Sequence, residues 1–388
     1  MEVTLAENGE AIETCRLTVT QSGLKGSGDE SDPHPVSSAA ELIYASEQTY
    51  LGETFADACF ELTRDIDLTG TDFKQFYTFN GTLDGKGHTI NGFYIEDIAE
   101  YTHLGMFRQM NGTIKNLNVE GTVHKVSKAA NQTGSIHAIG GIVGISNGIV
   151  ENCTFKGSVI SDVNDALDCI GGVAGYVQNG GMVKGCAYLA SADGRIDVAR
   201  AQTTGGVVGM CHENSYTIGC FNTGHINYKH TEGSLGGVVG IVYRTYAVAC
   251  YHSGTITAPE GADMCAGVVG NNAFDTGDVT ACYSAIDSQT SPNVFLIGGT
   301  GVTTEEATAK FKACYWLDIE GRSAFGPDIT PNVCIDCSAK TAEELKSQAT
   351  VDALNAAVTE WNALHGNLCT YRFEADANGG YPVLANQN

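Results

Sequence analysis

The glycine-rich phrase GGVVG recurs along the chain, and a cysteine follows each copy nine to twelve residues later. Two copies stand at 205–209 and 236–240, with near-copies at 140–144, 171–175 and 266–270. Successive cysteines are 33, 34, 30, 32 and 32 residues apart, in the series Cys153, Cys186, Cys220, Cys250, Cys282 and Cys314. A constant period of this length is typical of a solenoid or a propeller, because each repeat is one unit that stacks on the next.

Three short strands are indicated within one period: the GGVVG phrase, TIGCFNTG (217–224) and HINYK (225–229). A propeller blade needs four strands in a longer repeat, and helical repeats do not suit this density of glycine and β-branched residues. Weaker copies extend the array upstream, where Leu117 takes the place of the cysteine. The sequence therefore predicts an all-β fold, a right-handed parallel β-helix of roughly eight rungs.

The repeated cysteines are expected to form an inward column of small apolar side chains. Stacked rungs lie about 4.8 Å apart and equivalent side chains point the same way, which does not suit a disulfide, so free buried thiols are predicted. The separate pair Cys334 and Cys337 fits a local disulfide or two buried thiols. No second CxxC or HxxxH stands nearby to complete a zinc site.

Helical caps are predicted at both ends of the solenoid, because its end rungs expose unpaired edges. Ser38 and Glu41 form a capping-box pattern before one helix, and TAEE (341–344) precedes a second. In this second helix one apolar face is formed by Val351, Leu354, Val358 and Trp361. We therefore divide the chain into N-terminal strands or a linker (1–30), the capped β-helix (31–330) and a C-terminal capping segment (331–388).

The formal net charge of −24 argues against nucleic acid as a partner, because such partners require basic patches. No apolar run reaches the length of a membrane-spanning helix, and the first 25 residues show no signal-peptide pattern. No cofactor is expected, and the chain is expected to be a monomer.

Two acidic motifs are candidate sites. Asp84 and His88 in TLDGKGHTI invite a catalytic interpretation, but Asp-Gly and Lys-Gly are turn dipeptides, and a structural turn is the favoured interpretation. Asp162, Asp165 and Asp168 in the loop SDVNDALD offer oxygen ligands for Ca²⁺. Their spacing is not that of an EF-hand, so calcium is only a weak candidate.

An aromatic residue follows the cysteine in four rungs, at Phe221, Tyr251, Tyr283 and Tyr315. In the two earlier rungs the aromatic comes one place later, at Phe155 and Tyr188. Side chains alternate along a strand, so rings next to inward cysteines should point outward and stack. Two interpretations remain open: a ligand-binding platform for glycans, and a ladder that is self-stacking or covered by another segment.

Several motifs occur in an order that resembles the GLUG-motif repeat proteins, a family of large bacterial surface proteins. They include SSAAELIYAS, FELTRDIDLTG, FNGTLDGKGHTINGFYI, the repeated GGVVG with its cysteine, TAEELKS and GGYPVL, over about residues 30–385. The resemblance implies a bacterial surface or secreted rod, and it brings no catalytic motif.

We therefore expect an adhesin or glycan-binding rod without catalysis, whose partners are host or microbial glycans or surface proteins. One alternative is a carbohydrate-active enzyme, a polysaccharide lyase or glycoside hydrolase, on the same fold. Another is a structural spacer or phage tail component.

Overall fold

In the computed structural model, the strand-forming residues of each period stack in parallel. The structure describes residues 2–7, 10–16, 23–97, 102–127, 136–262, 264–272, 277–286, 289–301, 310–330 and 333–386. A full rung has four walls rather than three strands, because a short strand precedes the glycine pair where the sequence indicated a loop. Successive rungs pair in parallel and in register, for example Thr204 with Leu235. The predicted parallel β-helix is confirmed.

Walls A and B meet at the glycine pair. Wall A consists of His103–Leu104, His137–Gly140, Asp168–Gly171, Thr203–Gly205, Ser234–Gly236 and Cys265–Ala266. Wall B consists of Phe107–Met110, Val143–Ser146, Ala174–Val177, Val208–Cys211, Val239–Val242, Val269–Asn272 and Gly298–Gly301.

Walls C and D complete the rung and carry the residues around each cysteine. Wall C consists of His34–Val36, Cys59–Leu62, Thr82–Asp84, Thr113–Lys115, Ile149–Glu151, Met182–Lys184, Tyr216–Ile218, Tyr246–Val248, Asp278–Thr280, Lys310–Lys312 and Cys334–Ile335. Wall D consists of Ile66–Asp67, Thr89–Glu96, Asn118–Lys125, Thr154–Asn164, Ala187–Leu189, Arg195–Arg200, Phe221–Asn222, His225–Tyr228, Tyr251–His252, Thr255–Thr257, Tyr283–Ser284, Tyr315–Leu317 and Ser338–Lys340.

The stack is longer than the roughly eight rungs predicted. Wall C alone has 11 strands among the described residues, because it continues at both ends where the glycine phrase is absent. Two antiparallel pairs lie outside the walls: Glu2–Glu7 with Glu10–Arg16, and Tyr371–Glu374 with Val383–Asn386. Within residues 1–30 the sequence suggests two strands, EVTLAE (2–7) and RLTVTQ (16–21); the first is a strand of this pair, and the second lies outside the described residues apart from Arg16.

Close backbone approaches explain why the phrase needs glycine. A Cβ atom on Gly206 would collide with the Gly237 carbonyl of the next rung and with the Asn222 side chain. One on Gly209 would collide with the backbone of Gly175 in the preceding rung and of Ile170 in wall A. A small apolar cluster, distinct from the main core, packs in this bend: Ala138, Cys169, Tyr176, Met210 and Ile241.

The cysteine column faces inward as predicted. All six thiols are fully buried, and every cysteine whose side chain is described is free. The strand register places Leu117 before these cysteines and Cys337 after them, so Cys337 continues the column. Cys337 forms no disulfide with Cys334, because both thiols are free. The residue before each column member has a left-handed φ of 49° to 65°, which turns the chain from wall C into wall D: Asn116, Asn152, Gly185, Gly219, Ala249, Ala281, Ala313 and Asp336.

The helix at the N-terminal end, α1 (Ala39–Tyr50), forms as predicted and packs Leu42 and Ala45 on the core. Its N-cap Ser38 accepts a hydrogen bond from the Glu41 amide. The Glu41 carboxylate accepts from the Ser37 amide at 2.8 Å, so the predicted box does not close on the amide of Ser38.

At the C-terminal end, α2 (Ala342–Leu345) begins with the full capping box of Thr341 and Glu344. Helix α3 (Gln348–His365) follows and ends at Gly366. Its apolar face is buried as predicted.

The position of this segment differs from the predicted end plug. Residues 341–386, here called the C-terminal cover, lie along the side of the stack. Trp361, Tyr371 and Phe373 belong to one apolar cluster with Ile218 and Tyr315, which are several rungs apart. Near the last rung, Phe325 instead packs edge-on against Phe311 and Trp316. Among the described residues, no helix is long and apolar enough to cross a membrane.

Candidate functional site

Three of the four aromatic residues predicted to form an outer ladder stack, and the fourth, Tyr315, pairs in strand register with Tyr283. Ring centroids of Phe221 and Tyr251 lie 4.8 Å apart, those of Tyr251 and Tyr283 4.9 Å, and the planes are nearly parallel. Tyr251, Tyr283 and Tyr315 are at most 6 % exposed beneath the C-terminal cover. The Tyr283 hydroxyl donates to the Pro382 carbonyl. This geometry matches the covered ladder, and a ligand could reach three of the four rings only after the cover had moved.

Small residues at the corner between walls C and D make room for the cover. The Tyr371 ring occupies the space that a Cβ atom on Gly185 or Gly219 would need, and its hydroxyl donates to Asn152 Oδ1 at 2.6 Å. The series Gly185, Gly219, Ala249, Ala281 and Ala313 was a sequence signal of a docked segment. Sequence reasoning missed it because these residues also suit a tight turn.

Phe155 and Tyr188 do not join the outer ladder, because they lie one place further along the strand and face inward. Both are fully buried, with ring centroids 6.2 Å apart. The Tyr188 hydroxyl donates to the Gly157 carbonyl at 2.8 Å. The shift by one residue therefore moved the rings from the outer face into the core.

Asp84 has the structural contacts of a turn residue. Its Oδ1 atom accepts hydrogen bonds from the Lys86 amide at 2.9 Å and from Asn116 Nδ2 at 3.1 Å. Burial raises the pKa of Asp84, but these bonds and the ammonium groups of Lys86 and Lys115 lower it more, so the net shift is downward. His88 Nδ1 lies 3.3 Å from the exposed Asp65, away from Asp84.

The three aspartates of the weak calcium candidate separate into two environments. Asp162 is exposed and its Oδ2 atom lies 2.8 Å from His124 Nε2. Asp165 and Asp168 are instead buried together at the corner between walls D and A. Only two of the three proposed ligands therefore meet, because Asp162 lies on the outer face of its strand.

Asp165 and Asp168 surround a buried lysine. Lys125 Nζ lies 2.5 Å from Asp168 Oδ1, 3.5 Å from Asp165 Oδ2 and 3.3 Å from His137 Nδ1. The same His137 atom lies 3.1 Å from Asp165 Oδ2 and 3.2 Å from Asp168 Oδ1. Ser161 Oγ donates to the other Asp168 oxygen at 3.3 Å. These residues form what we call the charge cluster: Lys125, His137, Ser161, Asp165 and Asp168.

The charge cluster is almost closed to solvent. Lys125 is 2 % exposed, His137 3 % and Asp168 0 %. Burial raises the pKa of Asp165, but its bond from the Leu167 amide and the charges of Lys125 and His137 lower it more, so its carboxyl group is held ionised. His137 Nε2 is buried and makes no hydrogen bond within the described residues.

A divalent metal would have to compete with the lysine. The ligand atoms of His137, Asp165 and Asp168 lie within 4.8 Å of one another, a spacing that a metal ion could bridge. Lys125 Nζ lies among these same atoms and already supplies positive charge to both carboxylates. The arrangement therefore fits a self-neutralised cluster better than a calcium site, which needs 6–8 oxygen ligands.

Sequence alternation contained the signal for Lys125. In NVEGTVHK, Val119 and Val123 face the core, and Lys125 is two residues beyond Val123 on the same face. A charged residue at an inward position requires buried partners. That requirement was not drawn from the sequence.

A polar cleft of about 630 Å³ opens on the outer face of wall D, near its N-terminal end. It is lined by Asp65, Thr89, Asn91, Gly92, Glu120, Gly121, Lys156 and Ser191. Lys156 Nζ and Glu120 Oε1 are 3.2 Å apart, and both side chains are more than 40 % exposed. Tyr94 lies on the same strand as Thr89 and Asn91 and is 54 % exposed.

The fold defines a parallel β-helix of repeated glycine-and-cysteine rungs. Residues 135–160 match the family model of the GLUG motif, which confirms the resemblance found in the sequence. The chain therefore carries a GLUG motif, and the match includes His137 of the charge cluster.

Two known proteins are similar to the chain. Halomucin from Haloquadratum walsbyi (strain DSM 16790 / HBSQ001) is 29% identical over 175 residues, and the match covers 41% of this chain but only 2% of halomucin. The crystal structure of a candidate immunoglobulin A1 protease from Bacteroides ovatus superposes with a TM-score of 0.58 and 20% identity, covering 92% of this chain and 94% of that chain. At this identity the structural likeness shows the fold alone.

Proposed function

We propose that the protein is a surface-exposed, non-catalytic, monomeric rod that binds glycans through the polar cleft of wall D. The observation that carries this proposal is the cleft itself, which is open and lined by polar side chains from several consecutive rungs. Carboxylate, amide, hydroxyl and ammonium groups match the hydroxyls of a sugar chain as donors and acceptors.

Tyr94 lies on the same strand as the lining residues Thr89 and Asn91, beside the cleft, and offers the apolar surface that sugar recognition also needs. Its ring is exposed, and its hydroxyl donates to Glu96 Oε2 at 2.6 Å, which restrains the orientation of the side chain. A flat aromatic ring can pack on the C–H face of a sugar while its hydroxyl bonds polar groups. The proposed binding face therefore lies on the open part of wall D and not on the covered aromatic ladder.

The environment of Asp65 favours binding over hydrolysis. A glycosidase needs one carboxylic acid with a raised pKa to protonate the leaving oxygen. Hydrogen bonding from the Thr89 amide, together with His88, lowers the pKa of Asp65. Asp65 is therefore an acceptor at neutral pH and not a general acid, although Glu120 in the same cleft keeps a glycan-cleaving enzyme as the second candidate.

A glycan array with the full chain, followed by calorimetry on the best ligand, tests the proposal. Tyr94→Ala should weaken binding about tenfold or more, because the stacking surface is lost. Tyr77→Ala is the matched control, since Tyr77 is 39 % exposed but does not belong to a strand of wall D. Equal affinity of both variants would remove Tyr94 from the proposed binding face, and the same affinity in Lys156→Ala would remove the cleft. Release of reducing ends by the wild type, lost in Glu120→Gln, would establish the enzyme instead.

A further inference from the structure

Lys125 and Asp168 are placed as a reacting pair rather than as an ordinary surface ion pair. Both are buried, on consecutive rungs, with Nζ 2.5 Å from Oδ1. Two hydrogen bonds hold the end of the strand just beyond Lys125, because the backbone amides of Val126 and Ser127 donate to Asp97 at 2.7 and 3.2 Å. When two groups are held in the orientation that their reaction needs, their effective concentration reaches roughly 10⁵ M or more.

We propose that Lys125 and Asp168 condense into an intramolecular amide bond that covalently links two rungs of the β-helix. The Nζ lone pair attacks Cγ of Asp168, a new N–C bond forms, and one C–O bond of the carboxyl group breaks. The departing oxygen leaves as water with two protons, one from the carboxyl group and one from Nζ. No atom changes oxidation state, so neither an oxidant nor a cofactor is required.

The surroundings of the pair supply the proton transfers. The reaction requires a neutral amine beside a neutral acid, and this pair forms when one proton passes from Nζ to Asp168 Oδ1 across their 2.5 Å contact. Asp165 Oδ2, 3.5 Å from Nζ, accepts the proton that the attacking nitrogen loses. His137 Nδ1, 3.2 Å from Asp168 Oδ1, donates to the oxygen that becomes negative in the tetrahedral intermediate.

Burial also protects the proposed amide bond from hydrolysis. An amide in water is hydrolysed only slowly, and a site from which water is excluded removes the reagent for the reverse reaction. The bond would join positions 43 residues apart and would keep rungs together when the rod is pulled or partly opened. This inference does not depend on glycan binding.

Mass spectrometry of the reduced, denatured full chain tests the proposal. The intact mass should be lower than the sequence mass by one water. Trypsin should leave Lys125 uncut and yield peptide 116–128 joined to peptide 157–184. The peptide map is decisive, because cyclisation at Asp84–Gly85 would also lose one water without joining two peptides.

Three variants sharpen the result. Lys125→Arg should restore the full sequence mass, and Asp168→Asn should lose ammonia in place of water when the bond forms. Asp165→Asn should slow bond formation about 100-fold, followed as the linked fraction over time after refolding. Lys229, which pairs with Asp197 but is 47 % exposed, is the internal control and should be cut normally. Wild-type protein with unlinked peptides and unchanged mass would overturn the proposal.

Discussion

The corner between walls C and D has the same backbone in both halves of the stack but opposite surroundings. In the first half, left-handed asparagines occupy it, Asn116 and Asn152, and their side chains hydrogen-bond to Asp84, to each other and to Tyr371. In the second half glycine and alanine occupy it from Gly185 to Ala313, and the C-terminal cover packs on them. Asparagine tolerates the left-handed turn through local hydrogen bonds, whereas glycine and alanine leave an apolar surface that must be covered.

The outer face of wall D follows the same division. Towards the N-terminus it carries the open polar cleft, and towards the C-terminus it carries the stacked, buried rings of Tyr251 and Tyr283. A row of aromatic residues on an outer face is thus not by itself a binding surface. The neighbouring corner residue decides whether a segment can dock over it.

The largest expected effect comes from deleting 341–388. The deletion would expose Ile218, Tyr283 and Tyr315 together with their neighbours, and each large apolar side chain contributes about 1.5–3 kcal/mol when buried. The truncated chain should associate on size exclusion and melt well below the full chain. Hydrogen exchange should increase in rungs after residue 185 more than in those before it. A monomer with unchanged melting temperature would show that the cover is not required.

A smaller loss is expected from Gly219→Val. This change adds the cost of a left-handed side chain, about 1–2 kcal/mol, to a collision with the Tyr371 ring. Gly180→Val is the matched control, because Gly180 has φ 84° but no atom near its missing Cβ. We expect the covered site to lose about 2 kcal/mol more than the control in urea unfolding. Equal losses at both sites would mean that the cover can shift without cost.

The smallest effect concerns one histidine in each half, the partly buried His103 and the fully buried His252. Burial lowers the pKa of His103 to about 4 and that of His252 to about 3, against an ordinary value of 6.5. As the pH falls, the unfolded chain binds these protons before the folded chain does. The folded state therefore keeps the full contribution of these histidines to its free energy of unfolding above pH 6.5. That contribution is lost as the pH decreases toward the folded pKa, by at most about 1.4 kcal/mol per pH unit for each histidine.

His252→Asn places in this column the residue that the preceding rung has at Asn222. The variant should show a shallower loss of stability between pH 6.5 and 4 than the wild type, measured by denaturant unfolding at each pH. His103→Asn should reduce the slope less, because its folded pKa lies closer to the unfolded value. Identical pH profiles for wild type and His252→Asn would contradict the assignment.

Periodicity determined most of the fold. The recurring glycines and cysteines predicted stacked parallel strands, an inward thiol column and Leu117 as its earlier member, because these depend on alternation and register, which are local. The extra wall A strand was missed because its residues vary between rungs. The glycine pair beside this strand is required because two walls approach each other closely. The sequence of a single repeat does not show that close approach.

Placement across rungs was decided only by the tertiary structure. The sequence predicted α3 and its apolar face, but the helix lies along the side, where Gly185 and Gly219 admit Tyr371. The sequence grouped Asp162 with Asp165 and Asp168, yet only the last two meet, around a lysine that precedes them by 40 and 43 residues. Alternation along a strand fixes which way a side chain faces. Which partner it finds depends on long-range packing, because every rung offers the same positions and only the assembled stack brings particular ones together.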